Sequence, residues 1–221
     1  LVIFFSVWLT SCFEVNEKLY VGAKGNGSYS IRLDFNASRA MLTSIQNDLQ
    51  KYQQPYENLP LEKITQAFRK KAFAIQQIDG ISNVRYEQDG YAWELSFDFS
   101  HPKALNCAIA ELETGMRNSC WQTYYVIEKK SLQKKNIFYL HSLFENIHQY
   151  TFEDNASLQR TLNDIIAQAH YTISITTEKR IKKIDHPEFQ KISPTTLQLT
   201  RKINALHEPT LRWDVKVSLK R

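Results

Sequence analysis

The sequence predicts an α+β fold: an antiparallel, curved sheet built of hairpins, with helices packed on one face. Three observations predict it. The hydrophobic period switches repeatedly along the chain between two and about 3.6 residues, the signatures of strand and helix. Tight-turn signals join neighbouring strand-like runs, at Gly25-Asn26-Gly27-Ser28 and at Asp89-Gly90. The clearest strand, residues 91–99, puts Tyr91, Trp93, Leu95, Phe97 and Phe99 on one face and Ala92, Glu94, Ser96 and Asp98 on the other. Such a strand buries one side and wets the other, so helices must cover the apolar side.

The elements follow in order. Residues 13–24 and 28–35 read as a first hairpin around the Gly-rich turn. Ser38 caps a helix to about Leu49, with Met41, Leu42, Ile45 and Leu49 on one side. A second helix, about 61–75, carries the stripe Leu61, Ile64, Phe68, Ala72 and Ile75. Asp79-Gly80 stops it, and residues 81–87 and 91–99 form the second hairpin. Ser100 with Pro102 opens a third helix, which Gly115 ends. Residues 120–129 and 134–140 read as a longer aromatic hairpin with Ser131 in its turn, and 157–169 as a helix capped by Ser157. Strands at 171–177, 195–200 and 211–219 complete the chain. With 221 residues, 43% of them hydrophobic, and only six Gly and six Pro, the chain has the material for a sizeable core. It shows no internal repeat and no low-complexity tract.

The N-terminus carries a different signal. Residues 1–9 read LVIFFSVWL, uncharged and apolar, about the length of a signal-peptide hydrophobic region and far short of the roughly 20 residues that span a bilayer. Leu9-Thr10-Ser11-Cys12 follows directly. This resembles the lipobox of bacterial lipoproteins: an aliphatic residue, two small residues, then the cysteine that is acylated and becomes the mature N-terminus. The resemblance implies that residues 1–11 are the remainder of a signal peptide, that Cys12 is lipidated, and that residues 12–221 form a single periplasmic α+β domain. It makes the membrane a partner through the anchor. Phe13 and Glu14 follow the cysteine, not the aspartate that retains such proteins at an enterobacterial inner membrane, which implies an outer-membrane location facing the periplasm. The segments Asp79-Gly80-Ile81-Ser82-Asn83-Val84 and Leu95-Ser96-Phe97-Asp98-Phe99, the latter leading to Ala104-Leu105-Asn106, are similar to uncharacterised lipoproteins of Bacteroidetes; that likeness implies no catalytic residue.

Cys107 and Cys120 remain. In an oxidising periplasm a disulfide closing this short loop is one reading, and two separate buried thiols the other. The net charge is +5 and comes from short basic pairs, Lys129-Lys130 and Lys179-Arg180 among them, interspersed with acids. That is not the stripe of a nucleic-acid binder.

Candidate chemistry is sparse. His141, Glu145 and His148 would share a face and ligate zinc if helical, but residues 136–140 read as strand, so no metal is expected. Ser131 and Lys134 stand three apart without companion motifs, and no G-x-S-x-G is present. Glu111/Glu113 and Glu153/Asp154 are carboxylate pairs whose separation the sequence does not give. No P-loop or G-x-G-x-x-G occurs, and no cofactor is expected. The expectation is therefore a non-enzymatic, membrane-anchored envelope protein that binds a partner or contributes to envelope structure. The alternative is a lipid or small apolar ligand module in which the aromatic residues Tyr91, Trp93, Phe97, Phe99, Trp121, Tyr124, Tyr125, Phe138 and Tyr139 line a cavity between sheet and helices, ordinary core being the other reading of that cluster; an envelope hydrolase is the third class.

Overall fold

The computed structural model describes residues 13–40, 42–43, 47, 60–114, 120, 122–135, 168–203 and 214–220. Its strands are β1 (Glu14–Val21), β2 (Gly27–Asp34), β3 (Ile81–Asp89), β4 (Ala92–Phe99), β5 (Tyr125–Glu128), β6 (Ser131–Lys134), β7 (His170–Thr177), β8 (Ile181–Ile184), β9 (Gln190–Lys191), β10 (Thr196–Lys202) and β11 (Val215–Leu219). The helices are α1 (Pro60–Gln76) and α2 (Pro102–Thr114), and a 3-10 turn covers Asn36–Ser38.

The fold is α+β with a curved sheet, as the period changes predict, but the strands divide into two sheets. One has seven strands in the order β3-β4-β2-β1-β7-β10-β9, the other four in the order β5-β6-β11-β8. Among the described residues all pairings are antiparallel except one: β1 runs parallel to β7, Glu14 beside His170 through Val21 beside Thr177. The architecture is therefore mostly antiparallel, as expected, with one parallel pairing that the hairpin signals do not announce. Hairpins fix local pairing, whereas the β1–β7 contact joins strands about 150 residues apart, which no turn signal reports.

The first hairpin forms where the sequence demands it. Gly25 has φ +85°, and a Cβ on Gly27 would sit 1.9 Å from the Tyr20 carbonyl oxygen, so only glycine closes this turn. Along β1 and β2 the buried positions alternate, with Phe13, Val15, Leu19 and Val21 inward beside Tyr29, Ile31 and Leu33. The ring of Phe13 stacks on Phe35 at 4.3 Å, so the core begins at the first described residue. On β4, Trp93, Leu95, Phe97 and Phe99 are all buried.

Two layers cover this inner face. At the β3–β4 side lie α1, through Ile64, Phe68 and Ile75, and the almost wholly buried α2, through Leu105, Ala108, Ile109 and Leu112. Trp93 Nε1 donates to Thr65 Oγ1 at 2.9 Å, which satisfies the indole inside the core. Lys71 of α1 donates to the Glu111 carbonyl (3.1 Å) and to that of Leu112, tying down the end of α2. The start of α2 is capped by His101, whose Nδ1 accepts from Ala104 N at 3.1 Å, and not by Ser100, whose hydroxyl donates to Gly80 O. At the β1–β7 side the four-stranded sheet covers the inner face. Ser131 opens β6 rather than lying in the preceding turn, which is Lys129-Lys130 alone. Of the predicted helix 38–49, residues 39, 40, 42, 43 and 47 are described and helical; the strand at 136–140 and most of the helix 157–169 lie outside the described residues.

Cys107 on α2 and Cys120 are joined as a disulfide with Cα atoms 4.4 Å apart. Beside it, Asn106 takes the place of a neighbouring strand. Its Oδ1 accepts from the Tyr124 and Tyr125 amides at 2.8 Å each, and its Nδ2 donates to Tyr125 O at 2.9 Å. Bridge and amide together hold α2 to β5.

Candidate functional site

The outer face of the seven-stranded sheet holds a basin of about 520 Å³. Its floor, from β3 to β7, follows from the strand registers. One row runs Arg85-Ser96-Ser30-Lys18-Ser174-Gln198 across six strands. The next runs Asp98-Ser28-Tyr20-Thr176-Thr196. Paired residues share a face, so these side chains project together. Short hydroxyl side chains leave the space that the basin occupies.

The charges in the basin are unequal in status. Asp98 accepts from Asn83 Nδ2 at 2.7 Å, and Glu94 lies 3.6 Å from Arg32. Lys18 and Arg85 have no hydrogen-bond or ion-pair partner among the described residues. Arg85 owes its place to a bulge. The register slips by one residue between Ser82 and Arg85, with Asn83 at φ 51°, and the slip sets Arg85 rather than Val84 opposite Ser96. The arrangement is two cations without an ion-pair partner among the described residues, over a bed of hydroxyls, with the Glu94 and Asp98 carboxylates engaged by Arg32 and Asn83 at one side and the half-exposed ring of Tyr20 at the other. It offers charge and hydrogen bonds to a polar anion and little to an alkyl chain.

A second polar cluster lies inside the core, between the sheets. Glu17 occupies an inward position of β1, in phase with Val15 and Leu19, and is 1% exposed. Its Oε1 accepts from Tyr125 Oη (2.6 Å) and Lys134 Nζ (3.0 Å), and its Oε2 from Tyr171 Oη (2.5 Å) and Lys134 Nζ (3.2 Å). Lys134 also donates to Tyr125 Oη at 3.0 Å. Burial pushes the Glu17 carboxyl up, but the Lys134 charge and the hydrogen bonds from Tyr125, Tyr171 and Lys134 outweigh it and hold the pKa below the ordinary carboxylate value. The phenols of Tyr29, Tyr125 and Tyr171 are raised well above theirs, first by burial and then by the Glu17 charge. Neither described cavity is lined by Glu17, Lys134, Tyr125 or Tyr171. This cluster is an ionic staple between sheets.

The sequence candidates fall as follows. Cys12, Trp121, Phe138, Tyr139, His141, Glu145, His148, Glu153 and Asp154 lie outside the described residues. Ser131 and Lys134 share a strand three residues apart and so point to opposite faces: Ser131 donates to Glu128 at 2.7 Å while Lys134 is buried against Glu17. Glu111 and Glu113 are two apart on α2 and do not face each other. The aromatic residues Trp93, Phe97, Phe99, Tyr124 and Tyr125 fill the core and line no open apolar cavity among the described residues. Two features escaped the sequence reading. Glu17 was marked by a charge at an inward phase of β1. The basin had only the run of small hydroxyls at outward phases, a pattern that any wet strand can carry.

No protein-family model matches the sequence, and no curated protein matches it. Among solved structures the chain is similar to the folded domain of the LppM protein of Mycobacterium tuberculosis. The TM-score is 0.42 and the identity 8%, over 95% of this chain and 90% of that one. At that level no property of LppM carries over to the site.

Proposed function

We propose that this chain is an envelope lipoprotein, held on a membrane through Cys12, that works by binding rather than catalysis, and that its ligand face is the outer basin. The observation that carries the binding reading is the pair Lys18 and Arg85, unpartnered among the described residues, above the hydroxyl rows of Ser30, Ser96 and Ser174. Both cations are exposed and stand over one basin, where like charges brought together attract an anion, and serine hydroxyls donate to or accept from a hydroxylated ligand. The ligand class that matches is a polar anion carrying several hydroxyl groups, such as a sugar phosphate. The anchor rests on the Leu9-Thr10-Ser11-Cys12 motif and the apolar segment before it.

Calorimetric titration with glucose 6-phosphate, glucose and inorganic phosphate tests the basin. The phosphorylated sugar should bind most tightly, and Lys18→Ala/Arg85→Ala should weaken it at least about tenfold, or about 1.4 kcal/mol. Absence of binding to all three, or equal affinity in the double variant, rejects the basin as this site.

A further inference from the structure

Basic residues that are scattered in sequence converge at one end of the molecule. The β1–β2 turn brings Lys24, the β5–β6 turn Lys129 and Lys130, the β7–β8 loop Lys179 and Arg180, and the end of β11 Lys220. The loops are joined directly. Leu219 N donates to Lys130 O at 2.9 Å, Lys220 N to Arg180 O at 2.9 Å, and Lys179 Nζ to Lys129 O at 2.9 Å. Glu178 N donates to Val21 O at 2.9 Å, and Ala23 N to Glu178 Oε2 at 2.6 Å. A cleft of about 320 Å³ opens among them, lined by Lys24, Gly25, Lys129 and Lys179.

Six cations face two carboxylates here, which is most of the chain's net charge of +5. Both carboxylates are engaged: Glu178 with Ala23 N, and Glu128 with the Ser131 hydroxyl at 2.7 Å. Lys24, Lys129, Lys130, Arg180 and Lys220 are exposed, and their side chains have no partner among the described residues. Five of the six are lysines, compact point charges that suit repeated anionic groups rather than one bidentate partner.

The position of this tip decides what it meets. Phe13 is fully buried and its carbonyl accepts from His170 N at 3.1 Å, so the folded core begins one residue after Cys12. A lipid on Cys12 would hold the body without a flexible tether. The tip lies at the opposite end of β1, whose eight residues span about 23 Å. That exceeds the Debye length of roughly 8 Å at physiological salt, so the anchoring membrane's own charge is screened there.

We propose that the tip binds a polyanionic polymer, carrying repeated carboxylate or phosphate groups, on the side of the molecule away from its anchor. The direction rests on the Cys12 anchor; the binding does not. The test uses the full chain with Cys12→Ser, to keep acyl chains out of the assay, and measures binding to fluorescent poly-glutamate, to polyphosphate, and to vesicles with and without phosphatidylglycerol. One or both polymers should bind, the stronger identifying the carboxylate or phosphate source, with affinity falling steeply between low and high salt. Lys24→Glu/Lys129→Glu/Lys130→Glu/Lys220→Glu should weaken it at least about tenfold, or about 1.4 kcal/mol, with unchanged thermal unfolding. Lys70→Glu and Lys18→Ala should leave it intact, the latter separating this site from the basin. Polymer binding unchanged in the quadruple variant overturns the proposal. So does a preference for the anionic vesicles, which would make the tip a membrane contact.

Discussion

Glu17 shows what one residue does to this core. A carboxylate removed from water costs several kcal/mol, and only a full set of partners offsets it. Here the two oxygens accept four hydrogen bonds from Tyr125, Tyr171 and Lys134. Lys134→Met should therefore destabilise the protein by about 3–5 kcal/mol, because it leaves the carboxylate buried without its counter-charge. Glu17→Leu/Lys134→Met should recover much of that loss, and chemical denaturation of the three chains checks the order. The same network sets a pH window. The Glu17 pKa is depressed by folding, so its contribution is present above the unfolded carboxyl value of about 4.3 and lost as pH falls through the folded one. The phenols of Tyr125 and Tyr171 are raised, so theirs is present below about pH 10 and lost as pH rises beyond it. Unfolding free energy measured against pH should show a plateau between those limits, with the acid limb reduced in the Glu17→Leu/Lys134→Met chain.

At the scale of elements, α2 is attached to the smaller sheet by two devices side by side. Losing the Cys107–Cys120 bridge, whose cysteines stand 13 positions apart, should cost about 3 kcal/mol. Asn106→Ala leaves two amide donors and a carbonyl without their buried partner and should cost about as much. Thermal melts of Cys107→Ala/Cys120→Ala, with and without reductant, separate the two, since reductant should lower only the wild-type midpoint. The hairpins, α1 and α2 were legible because each obeys a local rule: the Gly25-Asn26-Gly27 turn, the stripe Ile64-Phe68-Ile75, the alternation through Trp93 and Phe97. The parallel pairing of β1 with β7 and the division into two sheets were not, because both join segments far apart in the chain. The basin was hidden for the same reason. Lys18 and Ser174 are neighbours only through that parallel pairing, and Arg85 faces them only through a bulge.

For the whole molecule, the consequence is polarity. The basin lies on one face, the basic tip at one end, and Phe13 locks the other end of β1 into the core directly after Cys12. A lipid at Cys12 would make these positions fixed directions relative to a membrane, so the polarity depends on that cysteine. The direct test is the intact mass of the protein purified from the membranes of its source. A lipid-anchored protein should give a chain that begins at Cys12 and carries the mass of its acyl chains. An unmodified Cys12, still preceded by the apolar segment Leu1–Ser11, would contradict the anchor.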